Sequence, residues 1–327
     1  MAQPSAFQQP SGSKNKIEKV AIVGATGTIG QYITSVLLKT GSHTITALTR
    51  IGSSTNRFLP GINIAKVNYN DEASIHPPDT QSRLIRAAAK AGVKWIMPNE
   101  YSPPFADNEA LGRAIGFYER FVSTRKQIEK AGLAWTSLQC GFWCEVSLSG
   151  SPTRCGFDFA EKSITFFDDG EAKINHSTWP QCARAVAAFL SLPVMPEDEN
   201  ETPPTMSRWR NKALPISSFL LSQRDMLDSV LNVTGEKESE WMITHVPSEQ
   251  RFEQAREEMK AGLMDAYVVA MYTRTFYPDG CGVYDKDGGL ANEVLGLPRE
   301  DLEECTNGAV RMAATGEAGY KLAGEVH

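Results

Sequence analysis

The sequence is poor in the residues that hold metals. It has five histidines and six cysteines, at 140, 144, 155, 182, 281 and 305, and no C-x-x-C pair. No zinc spacing emerges, so no metal site is expected, and the thiols read as buried, reduced cysteines of a cytoplasmic protein. Positive charge is also short. Lys and Arg total 33 against 39 Asp and Glu, a net charge of −6, which argues against nucleic-acid and membrane-surface roles. No apolar run approaches the ~18 residues of a membrane helix. The opening segment, residues 1–16, is rich in Pro, Ser and Gln and lacks an apolar core. It reads as a disordered tail rather than a signal peptide.

What is present is an alternating pattern. A strand candidate, Lys19–Val23, apolar over Val20–Val23, leads into Gly24-Ala25-Thr26-Gly27-Thr28-Ile29-Gly30. Ile29, Ile33, Val36 and Leu37 then fall on one helical face over Thr28–Thr40, and Gly41 is a natural terminator. Strands are expected at 43–50 and 61–69, an Ala-rich helix from Pro77-Pro78-Asp79 to Gly92, and a strand at 93–97. A single helix at 115–131 and a strand at 133–140 follow. Strands alternating with helices predict an α/β fold, a Rossmann-type doubly wound parallel sheet. Beyond Cys140 the rhythm loosens. A strand at 163–169 and helices at 180–192, 217–234, 248–263 and 264–276 describe a smaller C-terminal substrate lobe interleaved with the last sheet elements. The expected organisation is a core over 17–145 and the remainder over 146–327.

The glycine loop predicts a dinucleotide site. A strand precedes it and an amphipathic helix follows. Helix N-termini present unpaired N–H groups and partial positive charge, and a diphosphate docks there if no side chain intrudes. Gly24, Thr26, Gly27, Thr28, Ile29 and Gly30 are the candidate phosphate-binding residues. The second strand ends Leu48-Thr49-Arg50 with no acid before Asp71. An acid there would pair with the ribose hydroxyl of NAD. Thr49, Arg50 and Arg57 instead favour NADP(H), because a guanidinium fork suits a 2′-phosphate.

These motifs, together with "AAAKAGVKWIMPNEYSP" and "RKQIEKAGLAWTSLQCGFW", resemble the NmrA-like family. This is the atypical short-chain dehydrogenase/reductase branch that includes isoflavone reductases, and the likeness is to its fungal type. The resemblance implies that Pro98, Asn99, Glu100 and Tyr101 lie near the nicotinamide, and that Phe142 and Trp143 border a substrate pocket. It implies an NADP(H)-dependent, isoflavone-reductase-like oxidoreductase acting on a small apolar or aromatic molecule. The alternative is a non-catalytic, dinucleotide-binding redox sensor with a protein partner; a cytoplasmic location is expected, with a nuclear one open to such a regulator.

The sequence departs from the family twice. No tyrosine is followed four positions later by lysine, so the usual Y-x-x-x-K acid is missing. The branch's own catalytic lysine aligns with Phe121. Tyr101 and Lys126 are the remaining candidate proton donors. Second, the chain between Val67 and Asp79 is too short for a crossover helix plus another strand. A deletion that removes a fourth strand is therefore expected near Ile75 and His76, about twenty residues judged from element lengths.

Overall fold

The computed structural model describes residues 15–54, 57–68, 80–197, 204–285 and 289–317. The chain opens with strand β1 (Lys19–Val23), helix α1 (Thr28–Thr40), β2 (Thr44–Arg50) and β3 (Asn63–Val67). Next come α2 (Thr80–Lys90), β4 (Trp95–Ile96), α3 (Glu109–Ala114), α4 (Tyr118–Lys130) and β5 (Ala134–Gln139). The middle carries β6 (Phe142–Trp143), α5 (Cys144–Leu148), β7 (Phe157–Asp158), β8 (Ser163–Phe167), β9 (Ile174–Ser177) and α6 (Trp179–Ser191). The last described elements are β10 (Lys212–Pro215), β11 (Phe219–Leu221), α7 (Gln223–Thr234), β12 (Met242–Val246), α8 (Ser248–Lys260), α9 (Met264–Thr275) and α10 (Leu302–Thr315). The fold is α/β with largely parallel strands, as expected.

Local sequence explains most boundaries. Gly41 ends α1 in the left-handed region, φ 63°, where only glycine is unstrained. Gly116, at φ 79°, breaks the single helix expected at 115–131 into α3 and α4. Ser222 and Asp225 form a reciprocal capping box, so α7 starts at Gln223. The residues before it pair antiparallel with β9 as β11 instead of joining the helix expected from 217. Thr178 caps α6, and its hydroxyl accepts from Gln181 N.

Pairing divides the doubly wound sheet. β3, β2 and β1 form one parallel set, and β4, β5 and β10 another, in the order β3-β2-β1 and β4-β5-β10. The doubly wound order 3-2-1-4-5-6 would set β1 beside β4. Among the described residues no ladder joins these two, so β1 and β4 each keep one edge without a strand partner there. The segment where a deletion was expected, 69–79, lies outside the described residues. The open edge coincides with exposure. Lys19, Ala21 and Val23 are exposed on β1, whereas all six residues of β5 are buried. Strands of an ordinary doubly wound sheet are buried on both faces.

Hydrogen exchange should register this difference. Amides of β1 that point to the open edge are expected to exchange at least a hundredfold faster than those of β5, which open only with the core. Residue-resolved exchange by NMR measures it directly; equal protection would mean that β1 has a partner in solution.

Three apolar cores result. One joins α1, β2, β5, α6 and β10 through Leu37, Ile45, Leu138, Phe189 and Leu214. A second lies on the opposite face around Ile85, Ile128 and Trp135. The third and largest gathers the aromatic residues of the later elements with Phe105, Phe121 and Phe142. No helix of the described residues is long and apolar enough to cross a membrane.

Candidate functional site

The glycine loop turns tightly between β1 and α1. Gly27 N donates to Gly24 O at 2.9 Å, and Gly24 sits at φ 79°. Gly27 is the N-cap of α1, with no side-chain cap and no acid in the first turn. The first amides of the helix are therefore left for a ligand. Gly24, Gly27 and Thr28 are exposed, Thr26 and Ile29 are half-buried, and Gly30 is buried. A Cβ at Gly30 would stand 2.1 Å from Gly24 O, and one at Gly27 3.2 Å from the same oxygen. The cradle thus depends on missing side chains, which fits a dinucleotide diphosphate. Arg50 ends β2, exposed and beside Thr49, and has no ion-pair partner among the described residues. Arg57 is exposed in the following loop.

The loop after β4 is anchored from below. Pro98 is buried and Asn99 exposed, while the Glu100 side chain turns inward at 4% exposure. Arg125 of α4 donates Nε to Glu100 Oε2 at 3.0 Å. It also forks onto Asp107, Nη1 to Oδ1 at 2.7 Å and Nη2 to Oδ2 at 2.9 Å, and reaches Ser137 Oγ at 3.0 Å. Its guanidinium lies 4.4 Å from the Trp135 ring centroid. Burial raises the Glu100 pKa although Arg125 opposes it. Glu100 Oε1 has no protein partner. It borders a cavity of about 10 Å³ shared with Asp107 and Arg125, room for one water. Glu100 was expected to line a substrate pocket; its side chain instead holds the loop to α4.

The two expected proton donors are not brought together. Tyr101 packs into the α1/α6 core, and burial, with the Cys140 and Cys182 thiols nearby, raises its pKa well above the ordinary phenol value. Lys126 is exposed on α4. Phe121, where the resemblance leads one to expect a lysine, is 9% exposed and stacked 5.1 Å from Phe117. Phe117 stacks on Phe105 at 5.3 Å, Phe105 meets Phe142 edge-on, and Phe142 stacks 4.0 Å from Tyr272. Phenylalanine at 121 thus completes an aromatic column where a lysine would have to bury its charge.

Trp143 goes the other way. Its ring meets Trp179 edge-on at 6.3 Å, and Tyr32 of α1 stacks 5.8 Å from Trp179. Beside them is a group that sequence reading missed. Both carboxylate oxygens of Glu145 accept from Trp179 N, at 3.0 and 3.3 Å. Burial, with a smaller push from Glu300, raises the Glu145 pKa to about 7. Glu300 is occupied by Arg184, Ser218 and Thr178. Its distance in sequence from Glu145 is why no local signal announced the pair. His176, fully buried on β9, is pushed down to about 4 by burial.

The sign of the Glu145 effect is definite. Its folded pKa lies above the ordinary 4.5, so its full contribution is present below pH 4.5 and is lost as pH rises through 7. Glu145→Gln keeps an acceptor for Trp179 N and removes the titration. The variant is expected to match the wild type near pH 4 and to exceed it by about 3 kcal/mol at pH 8. The difference between the two urea-unfolding curves cancels His176, whose own contribution runs in the opposite direction. A difference independent of pH would refute a raised Glu145.

No family model matches the chain. "Oxidoreductase aprR" of Aspergillus flavus is 25% identical over 305 residues, 88% of this chain and 96% of the relative. The fold is shared with the crystal structure of isoflavone reductase, at TM-score 0.68 and 20% identity over 89% of this chain and 99% of that one. It is shared also with the NADPH complex of the quinone oxidoreductase QOR2 from Escherichia coli, at TM-score 0.62 and 18% identity over 88% and 98%. The fold is thus that of isoflavone reductase and QOR2, and the curated relatives are named oxidoreductases, in line with the resemblance carried by the glycine loop and the strand-end motifs.

Proposed function

We propose that this protein is an NADP(H)-dependent oxidoreductase of the isoflavone-reductase-like type, acting on a small apolar or aromatic molecule. The observation that carries the reading is the uncapped N-terminus of α1 behind three glycines, with Arg50 at the next strand end. Gly24, Gly27 and the first amides of α1 would hold the diphosphate, and Thr49, Arg50 and Arg57 the 2′-phosphate. Pro98 and Asn99 would border the nicotinamide half, and Trp143 the substrate. Bound reduced nicotinamide would supply a hydride to an electrophilic carbon or oxygen. The named relatives, an oxidoreductase and a quinone oxidoreductase solved with NADPH, support the same chemistry.

A second reading has its own observation. Phe121 fills the lysine position and Lys126 faces solvent, which favours a redox sensor that binds the dinucleotide and signals to a protein partner without turnover. NADPH oxidation against a panel of quinones, enones and phenolic ethers separates the two. Turnover establishes the reductase; tight NADPH binding without turnover establishes the sensor.

Arg50→Glu tests the cofactor assignment. The acid repels a 2′-phosphate and accepts from a ribose 2′-hydroxyl. The NADPH-to-NADH affinity ratio is expected to fall by about a hundredfold, near 2.7 kcal/mol, as read by isothermal titration calorimetry. An unchanged ratio would remove Arg50 from the cofactor site.

A further inference from the structure

The loop after β4 offers one side chain outward and ties the others back. β4 and β5 run parallel, so the loop lies at the carboxyl end of its strand, where open α/β sheets bind their ligands. Pro98 and Glu100 are buried and Tyr101 is half-buried, while Asn99 is exposed. Glu100 N donates to Pro98 O at 2.8 Å, which turns the chain tightly about Asn99. Glu100 and Tyr101 then depart to opposite faces of the sheet. Tyr101 joins the α1/α6 core, and Glu100 meets Arg125 beside Trp135, on the α2/α4 side. Ser102 closes the loop by bridging to Gln139 of β5.

The Glu100–Arg125 contact is the charged and directional tie of this set. Arg125 itself is fixed from several sides. Asp107 takes Nη1 and Nη2, Ser137 of β5 accepts from Nη2, and the Trp135 ring flanks the guanidinium. A planar fork held in this way cannot swing, so its Nε–H sets where the Glu100 carboxylate stands. The same helix face carries Phe121 one turn earlier, and both residues are buried. α4 thus presents no proton at Phe121 and a rigid donor at Arg125.

We propose that Arg125 is a positioning residue for the nicotinamide end of the cofactor: acting through Glu100, it holds the Pro98–Tyr101 loop so that Asn99 meets the carboxamide of the ring. The proposal rests on the dinucleotide reading, which sets Pro98 and Asn99 against the nicotinamide half, and adds how that half is oriented. A carboxamide has an oxygen acceptor and two N–H donors, and the asparagine side chain has the same set, so the two groups pair with each other. The pairing is effective when the Asn99 backbone is in place before the ligand arrives, because ordering a loop on binding costs conformational entropy. Glu100 and Tyr101, pulled to opposite faces directly after Asn99, supply that order.

The test uses the full chain, isothermal titration calorimetry and two probes. NADPH carries the nicotinamide; adenosine 2′,5′-bisphosphate carries the 2′-phosphate without it. Glu100→Ala cuts the tie and leaves Arg125 on Asp107 and Ser137. Its NADPH affinity is expected to fall about tenfold or more, while its bisphosphate affinity stays within about twofold of the wild type. Glu100→Gln keeps an oxygen for Arg125 Nε and should bring NADPH affinity back to within about threefold. Asn99→Ala should match Glu100→Ala, and the double variant should lose no more than either alone. Asp107→Asn reaches the same link from a side chain that is 41% exposed, and the ratio of the two affinities should fall about threefold as Arg125 loses its charged fork. Wild-type NADPH affinity in Glu100→Ala, equal losses for both probes, or no recovery in Glu100→Gln would overturn the proposal. Additive losses in the double variant would overturn the route through Asn99. If Glu100→Ala does not fold, Asp107→Asn decides, and an unchanged ratio there overturns the proposal. A wild type that binds neither probe would instead sink the dinucleotide reading itself.

Discussion

Arg125→Met is expected to destabilise the fold by about 3–5 kcal/mol, the usual cost of removing one partner from a buried ion pair. Methionine fills much of the volume and keeps contact with the Trp135 ring. It leaves Glu100, at 4% exposure, without its counter-charge, and Asp107 without its fork. The Glu100 pKa is already raised by burial against the pull of Arg125, and without the guanidinium it moves further up. The sign follows. A raised folded pKa means stability present at low pH and lost as pH rises, so the deficit should be smallest near pH 5 and largest near pH 8. Urea unfolding at both pH values measures it, with Arg125→Met/Glu100→Gln as the second arm of the cycle. Glu100→Gln should restore part of the loss at pH 8. A deficit under ~1 kcal/mol at pH 8 would show that the cluster is hydrated rather than sealed.

That cluster also marks what sequence reasoning could reach. β1, α1 and Gly41 were legible to the residue, because alternation, helical spacing and a terminal glycine all act within a few positions. The expected strand at 93–97 shortens to Trp95–Ile96, the two residues that pair with β5 among the described residues. α10 was missed although Asp301 accepts from Glu303 N and Glu304 N, and the acid-rich start was available as a cap signal. Glu100 was assigned to a pocket because its partner stands 25 positions later, on a helix face that sequence alone cannot aim. Glu145 was invisible for the same reason: its raised pKa comes from enclosure by α1, α6 and the Glu300 loop. Phe121 is the reverse case. Its departure from the family pattern was plain in the sequence, and the stack of Phe105, Phe117 and Phe121 supplies the physical reason a phenylalanine is stable there.

The glycine loop is where sequence, geometry and function meet, and Gly30→Ala should show it most sharply. The new methyl would lie 2.1 Å from Gly24 O and 2.9 Å from Gly24 C, so the β1–α1 turn has to move. Gly24 O is also the acceptor that closes the turn with Gly27 N. Displacing it swings the first amides of α1 away from a bound diphosphate. NADPH affinity is expected to fall at least a hundredfold, about 2.7 kcal/mol or more, with a stability loss of about 1–3 kcal/mol from overpacking. Gly27→Ala separates the two effects. Its Cβ would meet Gly24 O at 3.2 Å, a contact small adjustments absorb, but the methyl would occupy the exposed face where the diphosphate must approach. It should keep its melting temperature within a few degrees and still lose at least tenfold in NADPH affinity by calorimetry. A Gly27→Ala protein that binds NADPH as the wild type does would place the diphosphate elsewhere, and the helix dipole with its free amides would have no ligand to serve.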